Sequence, residues 1–192
     1  MNLKIKALLL AAALAVGGAG HSKAQMQPGQ SVVPVGVCQI AAASLSSSVG
    51  LSACLGASFT GTCTGTSLAA SSVAGSIRPG QVLAGTGITA GTTVVSGPAA
   101  GGAGTYVTSA PCTSSAQSLT ASGIPTGANA AMIQGETANV RWRDDGGAPT
   151  TSVGMILVSG QAPVTYAGTL SALRFIAATG SPLVNVSFYR AP

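Results

Sequence analysis

Residues 138–147 read ANVRWRDDGG, and this stretch decides the fold class. Val140 and Trp142 alternate with Arg141 and Arg143, so a strand would place the two apolar side chains on one face and the arginines on the other. The Asp-Asp-Gly-Gly sequence that follows is typical of a hairpin turn, because Gly tolerates positive φ angles and Asp forms local turn hydrogen bonds. The stretch therefore predicts a strand with one buried face, followed by a tight turn.

Similar short runs recur along the chain after Gln25. Residues 170–176 and 183–189 read as two more strands, and in the second of these apolar and polar side chains alternate. Elsewhere, runs rich in Val, Ile, Thr and Tyr are separated by Gly, Pro and Ser. One stretch, residues 38–55, fits a helix as well as it fits strands. The pattern as a whole predicts an all-β protein.

The N-terminal residues 1–24 have the layout of a secretory signal peptide. Lys4 and Lys6 precede an apolar run at 7–16, and a stretch of small residues ends at Ala24. The apolar run is shorter than the roughly 20 residues that a transmembrane helix needs. We therefore predict cleavage after Ala24 and a mature chain without a transmembrane anchor. Such a chain would be secreted, periplasmic or held at the cell surface.

The chain carries unusually few charges. Charged residues make up 6% of the 192 residues, against roughly 25% in average soluble domains. The formal net charge is +5, but Lys4, Lys6 and Lys23 belong to the predicted signal. After cleavage five arginines remain against three carboxylates, a net charge of +2. Because surfaces that follow a phosphate backbone need many cations, the composition argues against nucleic acid as a partner.

The predicted mature chain contains neither His nor Lys, since His21 also lies in the signal segment. Ser-His-Asp and Cys-His nucleophiles need an imidazole base, and Schiff-base chemistry needs Lys. The remaining acid–base groups are the carboxylates of Glu136, Asp144 and Asp145. A glycosidase-like pair would have to come from these three, whereas turn and surface positions account for them more simply. The composition therefore favours a protein that is not an enzyme and needs no cofactor or metal.

The four cysteines are Cys38, Cys54, Cys63 and Cys112. An even number in an exported chain is typical of structural disulfides. The sequence has no Cys-x-x-Cys spacing, which disfavours a redox or metal site. Four cysteines allow three pairings, and sequence alone does not choose among them.

The C-terminal part carries a more specific pattern. Arg-Trp-Arg-Asp-Asp-Gly at 141–146 is followed by Pro-Thr at 149–150 and Gly-Met at 154–155. Within residues 123–190 this pattern resembles a family of small phage and prophage virion-associated proteins. The resemblance implies a β-rich, sandwich-like module that is encoded among head and tail genes and has no known catalysis.

Residues 58–122 resemble a different module. This zone is nearly free of charge, with Arg78 alone, and is rich in Gly, Thr, Ser and Ala. Segments such as GSIRPGQVL at 75–83 resemble the Gly/Thr-rich β modules of phage tail fibres. Together the two resemblances imply an outer β-sandwich-like module, residues 25–57 plus 123–192, with a Gly/Thr-rich β module inserted at 58–122.

The nested arrangement also implies a disulfide pairing. Cys38 and Cys54 would both lie in the outer module, whereas Cys63 and Cys112 would lie near the two ends of the insert. We therefore expect one bridge between Cys38 and Cys54 and a second between Cys63 and Cys112.

Four charged residues around the turn are the candidates for surface contacts. Arg141 and Arg143 are expected on the exposed face, paired with Asp144, Asp145 or Glu136, while Trp142 anchors the core. Since few charges protect the strand edges from pairing with another chain, we expect a homo-oligomer. The expected function is that of a non-enzymatic structural or surface-display protein, virion-associated or exported, which self-associates or attaches to a larger assembly. The alternative is a secreted, adhesin-like module that binds glycans or cell surfaces through the insert.

Overall fold

A computed structural model describes residues 32–192, so the predicted signal peptide lies outside the described residues. The strands are β1 (Val33–Ile40), β2 (Val49–Gly50), β3 (Leu55–Gly75), β4 (Val82–Ala84), β5 (Val94–Ser96), β6 (Gly104–Ser122), β7 (Ala130–Glu136), β8 (Val140–Arg143), β9 (Met155–Leu157), β10 (Val164–Tyr166), β11 (Arg174–Ala177) and β12 (Leu183–Arg190). Three single-turn 3-10 helices complete the described chain, at Ser44–Ser46, Leu51–Ala53 and Leu170–Ala172. The all-β prediction is confirmed, and no helix in this part of the chain is long and apolar enough to cross a membrane.

Two antiparallel sheets pack face to face as a sandwich. The strands β10, β7, β12 and β1, in that order, form one end of an eight-stranded sheet, and they face a four-stranded sheet of β2, β11, β8 and β9. The predicted strand at 140–143 is β8, and the predicted strand at 183–189 is β12. The prediction for 170–176 is only partly correct, because this stretch begins as a 3-10 turn and becomes a strand at Arg174.

The sandwich core lies between the two sheets. Trp142 is 8% exposed and packs edge-to-face against Tyr166, with ring centroids 6.0 Å apart. The other buried residues of this core come from both sheets and from the 3-10 turns: Cys38, Ile40, Leu45, Leu51, Cys54, Ala131, Ile133, Val140, Leu157, Leu170, Leu173, Phe175, Val184, Val186 and Phe188. Trp142 is therefore a core anchor. Residues 38–55 contribute the end of β1, the short strand β2 and two 3-10 turns rather than a helix.

The long strands β3 and β6 form the framework of a second unit, which runs from the start of β3 to the end of β6. We call it the inserted unit. Residues 55–65 of β3 pair with 112–122 of β6, and residues 67–70 pair with 104–107. β3 also folds back on itself at Gly65, which has a positive φ of 59°. The amide of Ser76 donates to the Gly56 carbonyl over 2.9 Å, so the two arms of β3 lie side by side.

The two shortest strands of this unit close a circuit of paired strands. β4 pairs with the C-terminal arm of β6 through Val82 and Ser122, while β5 pairs with its N-terminal arm through Val94 and Thr108. A bridge between Val82 and Thr93 then joins β4 to β5. The result is a small barrel-like arrangement.

A second hydrophobic core fills this arrangement and is separate from the sandwich core. Its buried residues are Ala57, Phe59, Cys63, Leu68, Ala70, Ile77, Leu83, Val94, Tyr106, Cys112, Leu119 and Ala121. One strand pair, Gln39 with Leu55, connects the two units within the larger sheet. On another side, the Thr126 amide donates to the Pro79 carbonyl over 2.7 Å.

Each core contains one disulfide bond. Cys38 is bonded to Cys54, with their Cα atoms 5.4 Å apart, and Cys63 is bonded to Cys112, with a Cα separation of 5.7 Å. These are the two pairs that the nested arrangement implies. The first bridge ties β1 to the segment that enters β3, and the second ties β3 to β6 close to the fold at Gly65.

Candidate interaction edge

The outermost strand of one sandwich sheet carries a run of exposed apolar side chains. We call residues 153–158, which contain β9, the apolar edge. Val153, Met155, Ile156 and Val158 are 52%, 44%, 48% and 41% exposed, and they make up four of the eleven exposed large hydrophobics in the described chain. None of the six residues of this edge is charged. An uncharged, apolar sheet edge is open to pairing with another chain.

β8 fixes the position of the apolar edge from inside. The register pairs Trp142 with Met155 and Val140 with Leu157. Leu157 is 3% exposed and packs over Gly135 of β7, where a Cβ atom would lie 3.2 Å from the Leu157 side chain. One side chain of the strand is therefore buried in the core while its neighbours remain at the surface.

Arg141 holds the N-terminal end of the apolar edge. Its Nη1 atom donates to the Gly154 carbonyl over 2.9 Å, and its Nε donates to the Thr151 carbonyl over 3.3 Å. The Thr150 hydroxyl also accepts a hydrogen bond from the Val153 amide, at 3.0 Å. The expectation that Arg141 pairs with a carboxylate is wrong, because the loop before β9 brings backbone carbonyls within reach of its guanidinium first.

Asn139 holds the other end. Its Oδ1 atom accepts a hydrogen bond from the Ser159 amide at 3.0 Å, while the Gly160 amide donates to the Gly135 carbonyl at 3.3 Å. Both ends of the apolar edge are thus tied to β7, β8 and the turn between them. A segment that is ordered before binding loses less conformational entropy on binding.

Arg143 and Asp145 form a salt bridge in the turn after β8. The Nε of Arg143 donates to Asp145 Oδ1 over 3.0 Å, and its Nη2 donates to Oδ2. The same Oδ1 accepts the Gly147 amide at 3.0 Å. The Arg143 guanidinium and the Gly147 amide lower the pKa of Asp145 to about 2. The salt bridge therefore organises the turn, as expected of this arginine.

The structure places Asp144 at the surface, and its charge adds to burial in raising the pKa of Tyr166. The same surface includes an arginine that was not among the residues predicted from the sequence. Arg174 of β11 is exposed and lies directly opposite Arg143 in the sheet register. Together with Arg141, these side chains form an arginine-bearing face beside the apolar edge.

Within residues 32–192, no three His, Cys, Asp or Glu residues come together as a metal-binding group.

Sequence reasoning also missed the apolar edge itself. The run Val-Gly-Met-Ile-Leu-Val at 153–158 contains no polar residue, a pattern that indicates a strand buried on both faces. Only the strand order, in which β9 has a single neighbour, leaves these side chains exposed.

Comparisons with known proteins assign no family. No protein-family model matches the chain, and neither curated proteins nor solved structures give a significant match. The functional argument therefore depends on the residues and geometry of this chain.

Proposed function

We propose that this protein is a non-enzymatic structural or surface-display protein, virion-associated or exported, that self-associates through the apolar edge. The observation that carries the proposal is the uncharged edge at 153–158, held at both ends by Arg141 and Asn139. A second copy of the chain can add its own edge to β9, because both backbones offer unpaired hydrogen-bonding groups there.

The distribution of charge supports the same proposal. Arg143 and Asp145 satisfy each other, and Arg141 is engaged by backbone carbonyls. The Arg141 guanidinium keeps its positive charge at one end of β9, but residues 153–158 themselves carry none of the charged side chains that usually protect an edge.

The two disulfides are compatible with an extracellular or periplasmic protein, since such bonds persist in oxidising compartments. Attachment to a virion or to a cell surface is the more specific form of the proposal. Identifying the neighbouring genes distinguishes these two settings, because flanking capsid or tail genes indicate a virion component.

Light scattering of the purified mature protein over a range of concentrations tests self-association. We expect a concentration-dependent increase in mass for the wild-type chain. Ile156→Lys places a charge on the apolar edge and should return the mass to that of the monomer. Val95→Lys is the matched control, because Val95 is 53% exposed on β5 in the other unit.

Two results contradict the proposal. One is a wild-type protein that stays monomeric at all concentrations and binds no particle or cell surface. The other is an equal loss of mass in Ile156→Lys and Val95→Lys, which would place the contact elsewhere or indicate a general solubility effect.

A further inference from the structure

A second surface feature lies where the sandwich meets the inserted unit. Here β1 and β3 pair through Gln39 and Leu55 and then separate, which leaves a shallow cleft of about 410 Å³. Nine residues line it: Val37, Cys38, Gln39, Leu55, Gly56, Gly75, Asn185, Val186 and Ser187. Its volume is in the range of small-molecule sites, roughly 300 to 1,000 Å³.

The polar groups of the cleft are amides and a hydroxyl. Gln39 Nε2 donates to Asn185 Oδ1 over 2.9 Å, and the two residues lie opposite each other in the register of β1 and β12. Within residues 32–192, the side chains of Gln39 and Asn185 make this one hydrogen bond. The NH₂ group of Asn185 and the Oε1 atom of Gln39 can therefore bond to a ligand. The hydroxyl of Ser187 lies on the same outward face of β12, two residues further along.

Apolar groups complete the lining. Val37 is 50% exposed and Leu55 is 44% exposed, and the two side chains lie on opposite sides of the separation between β1 and β3. No lining residue is charged. The cleft therefore offers hydrogen-bond donors and acceptors next to apolar surface, without an ionic group.

Two glycines let the chain segments at the base of the cleft pack closely against each other. Gly75 has a φ of +90°, and a Cβ atom there would lie 2.2 Å from the Gly56 carbonyl oxygen. A Cβ at Gly56 would lie 1.9 Å from the Nε2 atom of Gln81. Both positions therefore exclude side chains because protein atoms already occupy that space, so close packing of the backbone defines the base of the cleft.

We infer that this cleft binds a neutral saccharide. A sugar ring presents hydroxyl groups that both donate and accept hydrogen bonds, together with C–H faces that pack on apolar side chains. Amide side chains bond to such hydroxyls in both directions, and an uncharged lining gives no advantage to an anion or a cation. Tyr189 lies further along the outward face of β12 and can extend the contact to a second ring.

An extended peptide fits the cleft less well. A peptide strand added to the open side of β1 would need a regular row of backbone donors and acceptors. Pro34 has no amide hydrogen, and the register of β1 shifts between Pro34 and Gly36. Gly36 is also covered by Pro125, whose side chain would lie 2.8 Å from a Cβ atom at this position.

Nuclear magnetic resonance titration of the full mature chain tests the inference with named probes. We expect cellobiose, N,N′-diacetylchitobiose or lactose to shift the signals of Gln39, Asn185 and Ser187 in a saturable way. Glucuronate and glucosamine serve as charged controls. Asn185→Ala should weaken binding by about tenfold, as expected for the loss of a hydrogen-bonding side chain from a binding site.

Gln134→Ala is the matched control variant. Gln134 lies opposite Asn185 on the same face of the sheet, but it is not part of the cleft lining. We expect this variant to bind like the wild type. The inference is overturned if none of the three disaccharides shifts these signals, or if the two variants weaken binding equally. It does not depend on self-association, since the titration can be run in the Ile156→Lys background.

Discussion

Arg141 and Gly154 are joined by a hydrogen bond of 2.9 Å from the guanidinium Nη1 to the backbone carbonyl. The two residues are 13 positions apart in the chain, and the contact connects β8 to the loop that leads into β9. An exposed-face arginine thus orders the edge strand beside it. The guanidinium donates its hydrogen bonds to the loop before β9. The apolar side chains of β9 stay exposed and can contact other molecules.

Arg141→Ala should loosen the apolar edge without unfolding the sandwich. The substitution removes the hydrogen bonds to Thr151 and Gly154, with an expected cost of about 1 to 3 kcal/mol in the free energy of unfolding. Hydrogen exchange at the amides of 153–156 should become faster, and self-association should weaken. Arg174→Ala, on the neighbouring strand, is the control. Unchanged exchange in Arg141→Ala would mean that β8 pairing alone orders the edge.

Asp145 should contribute to stability only above its folded pKa. Its pKa is lowered from 3.8 to about 2 in the folded protein by Arg143 and by the Gly147 amide. A lowered folded pKa adds stability that is fully present above the unfolded value and is lost as the pH falls through the folded one. The contribution should therefore disappear between about pH 4 and pH 2. Its size should be small, since the salt bridge is exposed.

Comparison of the wild type with Asp145→Asn measures this effect. We expect their free energies of unfolding to differ at pH 6 and to converge near pH 2. Asp144→Asn is the control, because Asp144 lies next in the chain outside the Arg143 salt bridge. A difference that persists unchanged below pH 2 would assign the role of Asp145 to its shape rather than its charge.

Local patterns in the sequence predicted the strands with one buried face. The alternation around Trp142 and the Asp-Gly turn each depend on a few neighbouring residues, so β8 and its turn could be read directly. The core position of Trp142 followed from the same alternation. The prediction of a carboxylate partner is correct for Arg143 and wrong for Arg141. Arg141 lies near the Gly154 carbonyl because β9 returns beside β8, and the local sequence does not predict that return.

The order of strands in the sheets could not be read from sequence. The exposure of Ile156 follows from the position of β9 at the end of a sheet, which is a property of topology. The cleft between Gln39 and Gly75 brings together residues that are distant in the chain. Both features depend on long-range pairing, and local periodicity carries no information about it.

The second disulfide should contribute more to stability than the first. Cys63 and Cys112 close a loop of 49 positions, for which loop-closure entropy gives about 4 kcal/mol. Cys38 and Cys54 close a loop of 16 positions, for about 3 kcal/mol. Thermal or denaturant unfolding of the two double Cys→Ser variants tests the order. Peptide mapping without reduction checks the pairing, and a peptide linking Cys54 to Cys63 would contradict it.

Leu119→Ala should destabilise the inserted unit while leaving the sandwich protected. Leu119 is 1% exposed, and its two methyl groups lie against Gly61 and Gly85, where Cβ atoms would come within 2.4 and 2.2 Å of them. Because glycine has no side chain to fill the resulting cavity, we expect a cost near the upper end of the 2 to 5 kcal/mol usual for such substitutions, roughly 4 kcal/mol. Leu119→Met conserves volume and should cost less than about 1.5 kcal/mol.

Hydrogen exchange locates the effect of Leu119→Ala. We expect faster exchange in β3 and β6, whereas the amides around Phe188 keep their protection. The physical reason is that Leu119 and Phe188 belong to separate cores. Among residues 32–192, the pair Gln39 and Leu55 is the strand pairing that connects the two units in the sheet. A local opening of one core can therefore occur without opening the other. Equal loss of protection in both regions would show that the junction couples them into one cooperative unit.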